Sequence, residues 1–111
     1  METFYANKYS LKHMNIMEYV NHPDFHVQGV ATKISGSEDK AEWIPEDDVE
    51  DYLQSIDWKD TEIICHHTDF DCYVLSQIYG IRPAFHYDTM AMSRGRFPGK
   101  LHNLAALVER L

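Results

Sequence analysis

The sequence predicts an α/β fold, because short β-type runs alternate along the chain with segments of helical periodicity. Two segments repeat their inward-facing residues at i, i+3, i+4 and i+7, which places them on one face of a helix. These repeats are Val49, Tyr52, Leu53 and Ile56 in one segment, and Asp71, Val74, Leu75 and Ile78 in the other. The order of elements is therefore β-(α)-β-β-α-β-α-β-α.

The strands are predicted where β-branched and aromatic residues cluster between turn residues. They cover residues 2–6, 25–34, 40–44, 61–65 and 85–87. The turn at residues 35–39 makes the second and third strands a hairpin, and the strand at residues 61–65 is expected to be buried. In the second strand the apolar alternation changes face around Gly29, which indicates a bulge or a close backbone approach.

The predicted helices cover residues 15–21, 45–56, 71–79 and 104–111, with a single helical turn at residues 89–93. Pro45 begins the second helix, and the acidic residues that follow it suit the positive end of the helix dipole. Gly80 ends the third helix. Residues 94–100 are expected to form a basic, glycine-containing loop. The last helix carries an apolar face, made of Leu104, Leu107, Val108 and Leu111.

The length and the net charge of the chain limit the kinds of function that it can have. The chain has 111 residues and a formal net charge of −8, which predicts one domain whose surface mostly repels phosphate backbones. The acidity argues against autonomous nucleic-acid binding but suits a carboxylate cluster that holds divalent cations. We expect Cys65 and Cys72 to be reduced and mostly buried, and no segment is apolar enough to span a membrane. These features favour a cytoplasmic protein.

The most informative stretch joins a β-type run to a helix. Residues 63–65 are apolar, His66 and His67 follow, and then come Asp69 and Asp71. Imidazoles and carboxylates concentrated at a strand-to-helix junction suggest metal chemistry more than packing. Asp71 heads the buried stripe, where a carboxylate is costly unless a metal ion or hydrogen-bond donors meet it. Asp69 is expected to be solvated or to cap the helix, and Asp88 to fix the next strand–helix turn by hydrogen bonding.

Several short motifs together resemble a known family. In order, they are His66-His67-Thr68-Asp69-Phe70-Asp71, Val74-Leu75, Tyr79-Gly80-Ile81-Arg82-Pro83, Asp88-Thr89-Met90-Ala91-Met92-Ser93-Arg94 and Leu104-Ala105-Ala106-Leu107. Their order and spacing resemble the middle of a DEDD-type 3′–5′ exonuclease domain, and more narrowly the proofreading domain of a phage-type family A DNA polymerase. The N-terminal segments Met1–Tyr5, Tyr9–Leu11, Glu18–Val20 and Pro23–Phe25 are similar to the opening of those domains.

The resemblance implies an RNase H-like fold, a mixed sheet flanked by helices, here incomplete. The 111 residues would form a single partial domain that is truncated at both ends. Family members use four acidic residues to bind two divalent metal ions, Mg²⁺ or Mn²⁺. Glu2 matches the glutamate of the first motif, and Asp71, preceded by Phe70, matches the second. The remaining two acids would lie before Met1 and beyond Leu111, so this chain is expected to hold at most one ion, weakly.

The resemblance also implies roles for individual residues. Glu2 and Asp71 would be catalytic and metal-binding. Substrate would be bound by Thr3, His66, His67 and Phe70. Many relatives have asparagine where this chain has His67. The basic cluster Arg94, Arg96 and Lys100 would contact the DNA backbone.

The implied substrate is the 3′ end of single-stranded DNA. A polymerase domain or missing flanking segments would be the partner, in the cytoplasm of a bacterial or phage-infected cell and not at a membrane. Two alternatives remain open. One is a catalytically inactive scaffold or interaction domain of the same fold. The other is a His/Asp metal phosphoesterase, whose His-x-x-x-Asp-x-Asp pattern fails here because residue 65 is cysteine.

Overall fold

A computed structural model describes residues 1–110 of the chain. The chain divides into two compact units, Met1–Ile56 and Asp57–Leu111. The predicted α/β class is confirmed, since helices accompany antiparallel strands in the first unit and parallel strands in the second. Within residues 1–110, no helix is long and apolar enough to cross a membrane.

The first unit contains a three-stranded antiparallel sheet and two helices. Its elements are β1 (Glu2–Thr3), α1 (Ile16–Val20), β2 (Val27–Thr32), β3 (Glu42–Pro45) and α2 (Glu46–Gln54). The strands lie in the order β1-β2-β3. The predicted hairpin and both helices are confirmed, with slightly different bounds. The prediction that Pro45 begins the second helix is wrong, because Pro45 has an extended backbone and is the last residue of β3 and the N-cap of α2. The prediction of a strand over residues 2–6 is wrong beyond Thr3, because Ala6 and Tyr9 exchange two backbone hydrogen bonds of 2.8 and 3.0 Å that turn the chain back on itself.

Gly29 allows a close approach within this sheet, as its position in the sequence predicts. The side chain of Trp43, on the neighbouring strand β3, lies against the Gly29 backbone where a Cβ atom would stand. Trp43 is opposite Ala31 in the strand register, two residues from Gly29. A side chain at residue 29 would therefore collide with the indole ring.

Aromatic rings form much of the core of the first unit. Tyr9 and Tyr19 are both buried and stack with their ring centroids 4.7 Å apart. The Tyr9 hydroxyl donates a 2.7 Å hydrogen bond to the Tyr19 carbonyl oxygen, and burial raises the pKa of Tyr9 to about 12. Helix α2 adds Val49 and Leu53, both buried, which confirms its predicted apolar stripe.

The second unit contains two parallel strands and three helices. After a 3₁₀ turn at Trp58–Asp60, the elements are β4 (Glu62–Cys65), α3 (Thr68–Tyr79), β5 (Phe85–Asp88), α4 (Thr89–Arg96) and α5 (Leu104–Arg110). Helix α3 connects the strands, as parallel pairing requires. It ends at Gly80, whose φ of 67° is the left-handed conformation that glycine adopts at helix C-termini.

The prediction that residues 61–65 form a buried strand is wrong for one face. Ile64 is 60% exposed, and its partner Tyr87 and the nearby Phe85 are also exposed. Side chains alternate between the two faces of a strand, so Ile63 and Cys65 point to the opposite face, where they are half-buried. Periodicity cannot distinguish a short apolar run buried on both faces from one buried on a single face.

Two expectations near the C-terminus also change. Helix α4 runs to Arg96, so Arg94 and Arg96 lie on its last turn and not in a loop, while Lys100 does follow the helix. Cations on the last turn suit the negative end of the helix dipole, which favours the longer helix. The terminal helix is confirmed, but Leu104 and Val108 of its apolar face are exposed, and Leu111 lies outside the described residues.

Candidate functional site

The strand-to-helix junction between β4 and α3 contains a strained residue. His67 has φ 69° and ψ 67°, the left-handed region, and it directly precedes the first residue of α3. Among residues 1–110, every other residue with positive φ is a glycine. This conformation costs about 1–2 kcal/mol for a residue with a Cβ atom, so the surrounding structure must hold it in place. Strain of this kind concentrates at functional sites.

Asp88 holds the strained junction from the neighbouring strand. The register pairs Cys65 with Asp88, which brings the carboxylate beside the start of α3. Oδ1 accepts from the His67 N–H at 2.9 Å, and Oδ2 accepts from the Thr68 N–H at 3.2 Å and from the Thr68 hydroxyl at 3.3 Å. Asp88 is also the N-cap of α4, where Oδ1 accepts from the Met90 and Ala91 N–H groups at 2.9 and 3.3 Å.

This carboxylate therefore serves two helix N-termini. Burial alone would raise the pKa of Asp88, but the backbone N–H groups of four residues outweigh it and lower the pKa. The hydrogen-bonding role predicted for Asp88 is confirmed. Asp69 is exposed on the first turn of α3, so it is the solvated carboxylate, and the capping falls to Asp88.

Asp71 lies on the same first turn but in a different environment. It is half-buried, and burial raises the pKa of its carboxyl group above the usual value. The thiol of Cys65, at the end of β4, lies close enough to this carboxylate that each group shifts the pKa of the other. Neighbouring positive charge lowers the pKa of Asp71, but the effect of burial is larger. Asp71 is thus a carboxylate that is kept partly from water.

Cys65 is a partner of Asp71 that sequence analysis did not identify. Its thiol pKa is raised to about 12, first by burial and then by the neighbouring Asp71 carboxylate. Cys65 and Cys72 are both free thiols, as expected, and they are half-buried. A raised pKa keeps a thiol protonated, which disfavours Cys65 as a nucleophile or as a metal-binding thiolate.

Both ring nitrogens of His66 are hydrogen-bonded. Nδ1 lies 3.0 Å from the Thr89 hydroxyl and Nε2 lies 2.7 Å from the His102 carbonyl oxygen. Because a carbonyl oxygen only accepts, Nε2 carries a proton. The His102 ring is bonded in turn to the buried Ser93 hydroxyl at 2.8 Å. His66 therefore connects the end of β4 to α4 through Nδ1 and to the segment before α5 through Nε2. This role is structural.

The other predicted site residues lie in both units. Glu2 is exposed on β1, where it pairs with Gly29. The Thr3 hydroxyl lies 2.9 Å from the Tyr19 hydroxyl, whose own proton goes to the Phe4 carbonyl oxygen, so Thr3 is the donor. These two residues belong to the first unit, whereas Asp71, His66, His67 and Phe70 belong to the second.

The basic cluster of Arg94, Arg96 and Lys100 is exposed. The Arg96 guanidinium lies 5.6 Å from the centre of the Phe97 ring, and the Arg94 guanidinium lies 3.9 Å from the Met90 sulfur. None of the three forms an ion pair with another described residue. Their charges are thus directed to solvent, where a phosphate backbone could meet them.

The residues around the junction fit a divalent cation in part. A desolvated carboxylate such as Asp71 offers the hard oxygen ligand that Mg²⁺ and Mn²⁺ prefer, and Mg²⁺ commonly uses one or two carboxylates and several waters. Within residues 1–110, no three His, Cys, Asp or Glu side chains are grouped closely enough to hold a metal ion. Asp71 would therefore supply one ligand, and the others would come from water, from substrate or from further carboxylates.

Comparisons of the chain with protein-family models, with curated proteins and with solved structures give no match.

Proposed function

We propose that the chain is an RNase H-like domain of a DEDD-type 3′–5′ exonuclease, of the kind that proofreads for phage-type family A DNA polymerases. Its substrate would be the 3′ end of single-stranded DNA, in the cytoplasm of a bacterial or phage-infected cell. One observation carries the proposal. Asp71, the residue that matches the second acidic motif, is desolvated at the carboxyl end of a parallel strand, beside a turn held in a strained conformation.

The pairing of strands supports the same family. An RNase H-like sheet mixes antiparallel and parallel strands and is flanked by helices. Both kinds of pairing occur in this chain: the first unit contains the antiparallel strands β1-β2-β3, and the second unit contains the parallel pair β4-β5, with α3 between its strands. Ligands in α/β folds commonly bind beyond the carboxyl ends of parallel strands. His67 and Asp71 lie at that end of β4, and Asp88 ends β5.

The chemistry assigns separate tasks to these residues. A bound Mg²⁺ or Mn²⁺ would activate water and stabilise the leaving 3′ oxygen during phosphodiester hydrolysis. Asp71 would hold the cation. Asp88 would keep the turn in place through its bonds to the His67 and Thr68 backbone. With a net charge of −8, backbone contacts to DNA would be confined to the basic cluster.

Specific observations bear on the two alternative functions, a His/Asp phosphoesterase and a non-catalytic interaction domain. A His/Asp phosphoesterase would need free imidazole nitrogens, and both nitrogens of His66 are engaged, so at the junction such a site would depend on His67. A non-catalytic interaction domain is the second candidate, since the β4-β5 face that carries Ile64, Phe85 and Tyr87 is exposed.

The test is a nuclease assay on single-stranded DNA labelled at its 5′ end, with Mg²⁺ or Mn²⁺. The wild-type chain should shorten the DNA stepwise from the 3′ end. Asp71→Asn should slow this by at least about a hundredfold, because a lost metal ligand removes several kcal/mol of transition-state stabilisation. Asp69→Asn, which removes a solvated carboxylate two residues away, is the matched control and should change the rate little. Intact DNA with the wild-type chain would reject the catalytic proposal and favour the interaction domain.

A further inference from the structure

A shallow pocket opens on the second unit between α3 and the start of β5. Its volume is about 270 Å³, enough for a small organic molecule. It is lined by Cys72, Ser76, Ile81, Arg82, Pro83 and His86. Asp71 is not among these residues, and none of them was predicted as a site residue from the sequence.

The charged and polar lining favours an anion. Arg82 contributes a guanidinium group and His86 an imidazole, while no carboxylate lines the pocket. Within residues 1–110, neither side chain takes part in an ion pair. A guanidinium can bind phosphate through two parallel hydrogen bonds. In a chain with a net charge of −8, a guanidinium group in a pocket that no carboxylate lines is a departure from the average surface.

Backbone hydrogen bonds fix the segment that carries Arg82 and His86 without a ligand. Ile81 is buried, and its N–H donates a 2.9 Å hydrogen bond to the Leu75 carbonyl oxygen. On the other side of Arg82, Pro83 has a restricted φ and Ala84 donates a 2.9 Å bond to the Thr61 carbonyl oxygen. His86 is paired with Ile63 in the parallel ladder. The pocket is therefore largely pre-formed, which lowers the entropy cost of binding.

Ser76 adds a hydrogen-bond acceptor to the opposite wall. Its hydroxyl proton goes to the Tyr73 carbonyl oxygen at 3.1 Å, so the oxygen lone pairs remain to accept a proton from a ligand. A ligand hydroxyl group would satisfy that position. A bare inorganic anion at the Arg82 and His86 side would leave it unused.

Nearby carboxylates give the pocket a direction. Cys72 directly follows Asp71 on α3 and lies three residues after Asp69, so negative charge lies near the Cys72 end. An anionic group is repelled from that end and attracted to Arg82 and His86. The body of the ligand then extends along Ile81 and Pro83 toward Ser76.

We propose that this pocket binds a small hydroxylated phosphate monoester, with the phosphate against Arg82 and His86 and a hydroxyl group against Ser76. Nucleotides and sugar phosphates share this chemistry. The proposal does not depend on the exonuclease activity, because it uses a different set of side chains.

The test is an NMR titration of the isotopically labelled full chain with four probes: thymidine 5′-monophosphate, ribose 5-phosphate, inorganic phosphate and thymidine. At least one of the two monoesters should shift the signals of Ser76, Arg82 and His86 in a saturable way, and more tightly than inorganic phosphate. The tighter monoester identifies the source of the ligand. Thymidine, which lacks the phosphate, should bind far more weakly.

Two variants and a control locate the site. Arg82→Gln should weaken the monoester by about tenfold or more, since it removes charge-assisted hydrogen bonds. Lys59→Gln removes an exposed cation of the second unit that lies outside the pocket and should change the affinity less than twofold. Ser76→Ala should weaken the monoester but leave inorganic phosphate unchanged. Equal weakening by Arg82→Gln and Lys59→Gln, inorganic phosphate binding as tightly as the monoesters, or no saturable shift at these residues would each overturn the proposal.

Discussion

Asp88 connects two helix starts, and its replacement by alanine should lower the free energy of unfolding by about 3 kcal/mol. The side chain is the N-cap of α4, and loss of an N-cap costs about 1 kcal/mol. Its bonds to the His67 and Thr68 N–H groups, at 2.9 and 3.2 Å, each contribute about 1 kcal/mol net. Because domains are stable by only about 5–15 kcal/mol, this loss would be conspicuous.

Urea unfolding at pH 7, followed by circular dichroism, measures this loss directly. The matched control is Asp69→Ala, which removes an exposed carboxylate from the first turn of α3 and should cost less than about 1 kcal/mol. The pKa of Asp88 is lowered in the folded chain, so its contribution is present above the unfolded value of about 3.9 and is lost as the pH falls through the folded value. The Asp88→Ala deficit should therefore shrink toward pH 2. Equal losses for the Asp88 and Asp69 variants at pH 7 would refute the reasoning.

Three other substitutions test separate parts of the structure. Asp71→Asn should raise stability at pH 7, because burial raises the pKa of Asp71 and its ionisation then opposes folding as the pH rises above about 3.9; unfolding curves at pH 7 and pH 3 check this, and a gain that persists at pH 3 would contradict it. His67→Gly should stabilise the chain by up to about 1 kcal/mol and His67→Val should destabilise it by about the same amount; no difference between the two in urea would exclude strain at φ 69°. Gly29→Ala should cost about 1–3 kcal/mol because of the Trp43 ring, and much less in a Trp43→Ala background; equal costs in both backgrounds would contradict the close approach.

Local signals in the sequence predicted the elements that depend on them. The stop at Gly80 and the close approach at Gly29 follow from the conformational freedom of glycine. The periodicity of α3 predicted correctly that Val74 and Leu75 are buried, but it was wrong for Ile78, which is 44% exposed near the end of the helix. The sequence also predicted that Asp71 lies on the first turn of α3 and that Asp88 fixes a turn by hydrogen bonding, because both follow from where a strand meets a helix.

Features that depend on contacts between residues far apart in the sequence could not be predicted from it. The turn at Ala6–Tyr9 that ends β1 contains no glycine or proline, so nothing in its composition marks it. The hydrogen bonds of His66 join residues 23 and 36 positions away, and these separations have no periodic signal. The exposure of Ile64 depends on which face of the parallel pair is covered, and a run of four residues does not encode that choice.

The central claim is that the carboxylate of Asp71 binds a divalent cation at the strand-to-helix junction. The most direct measurement is the loss of backbone NMR signals when substoichiometric Mn²⁺, which broadens nearby resonances, is added to the labelled chain. The account predicts that signals of residues 67–72 broaden first, that Mg²⁺ competes for the site, and that Asp71→Asn abolishes the effect while Asp69→Asn preserves it. Uniform broadening over the acidic surface, unchanged in Asp71→Asn, would contradict it.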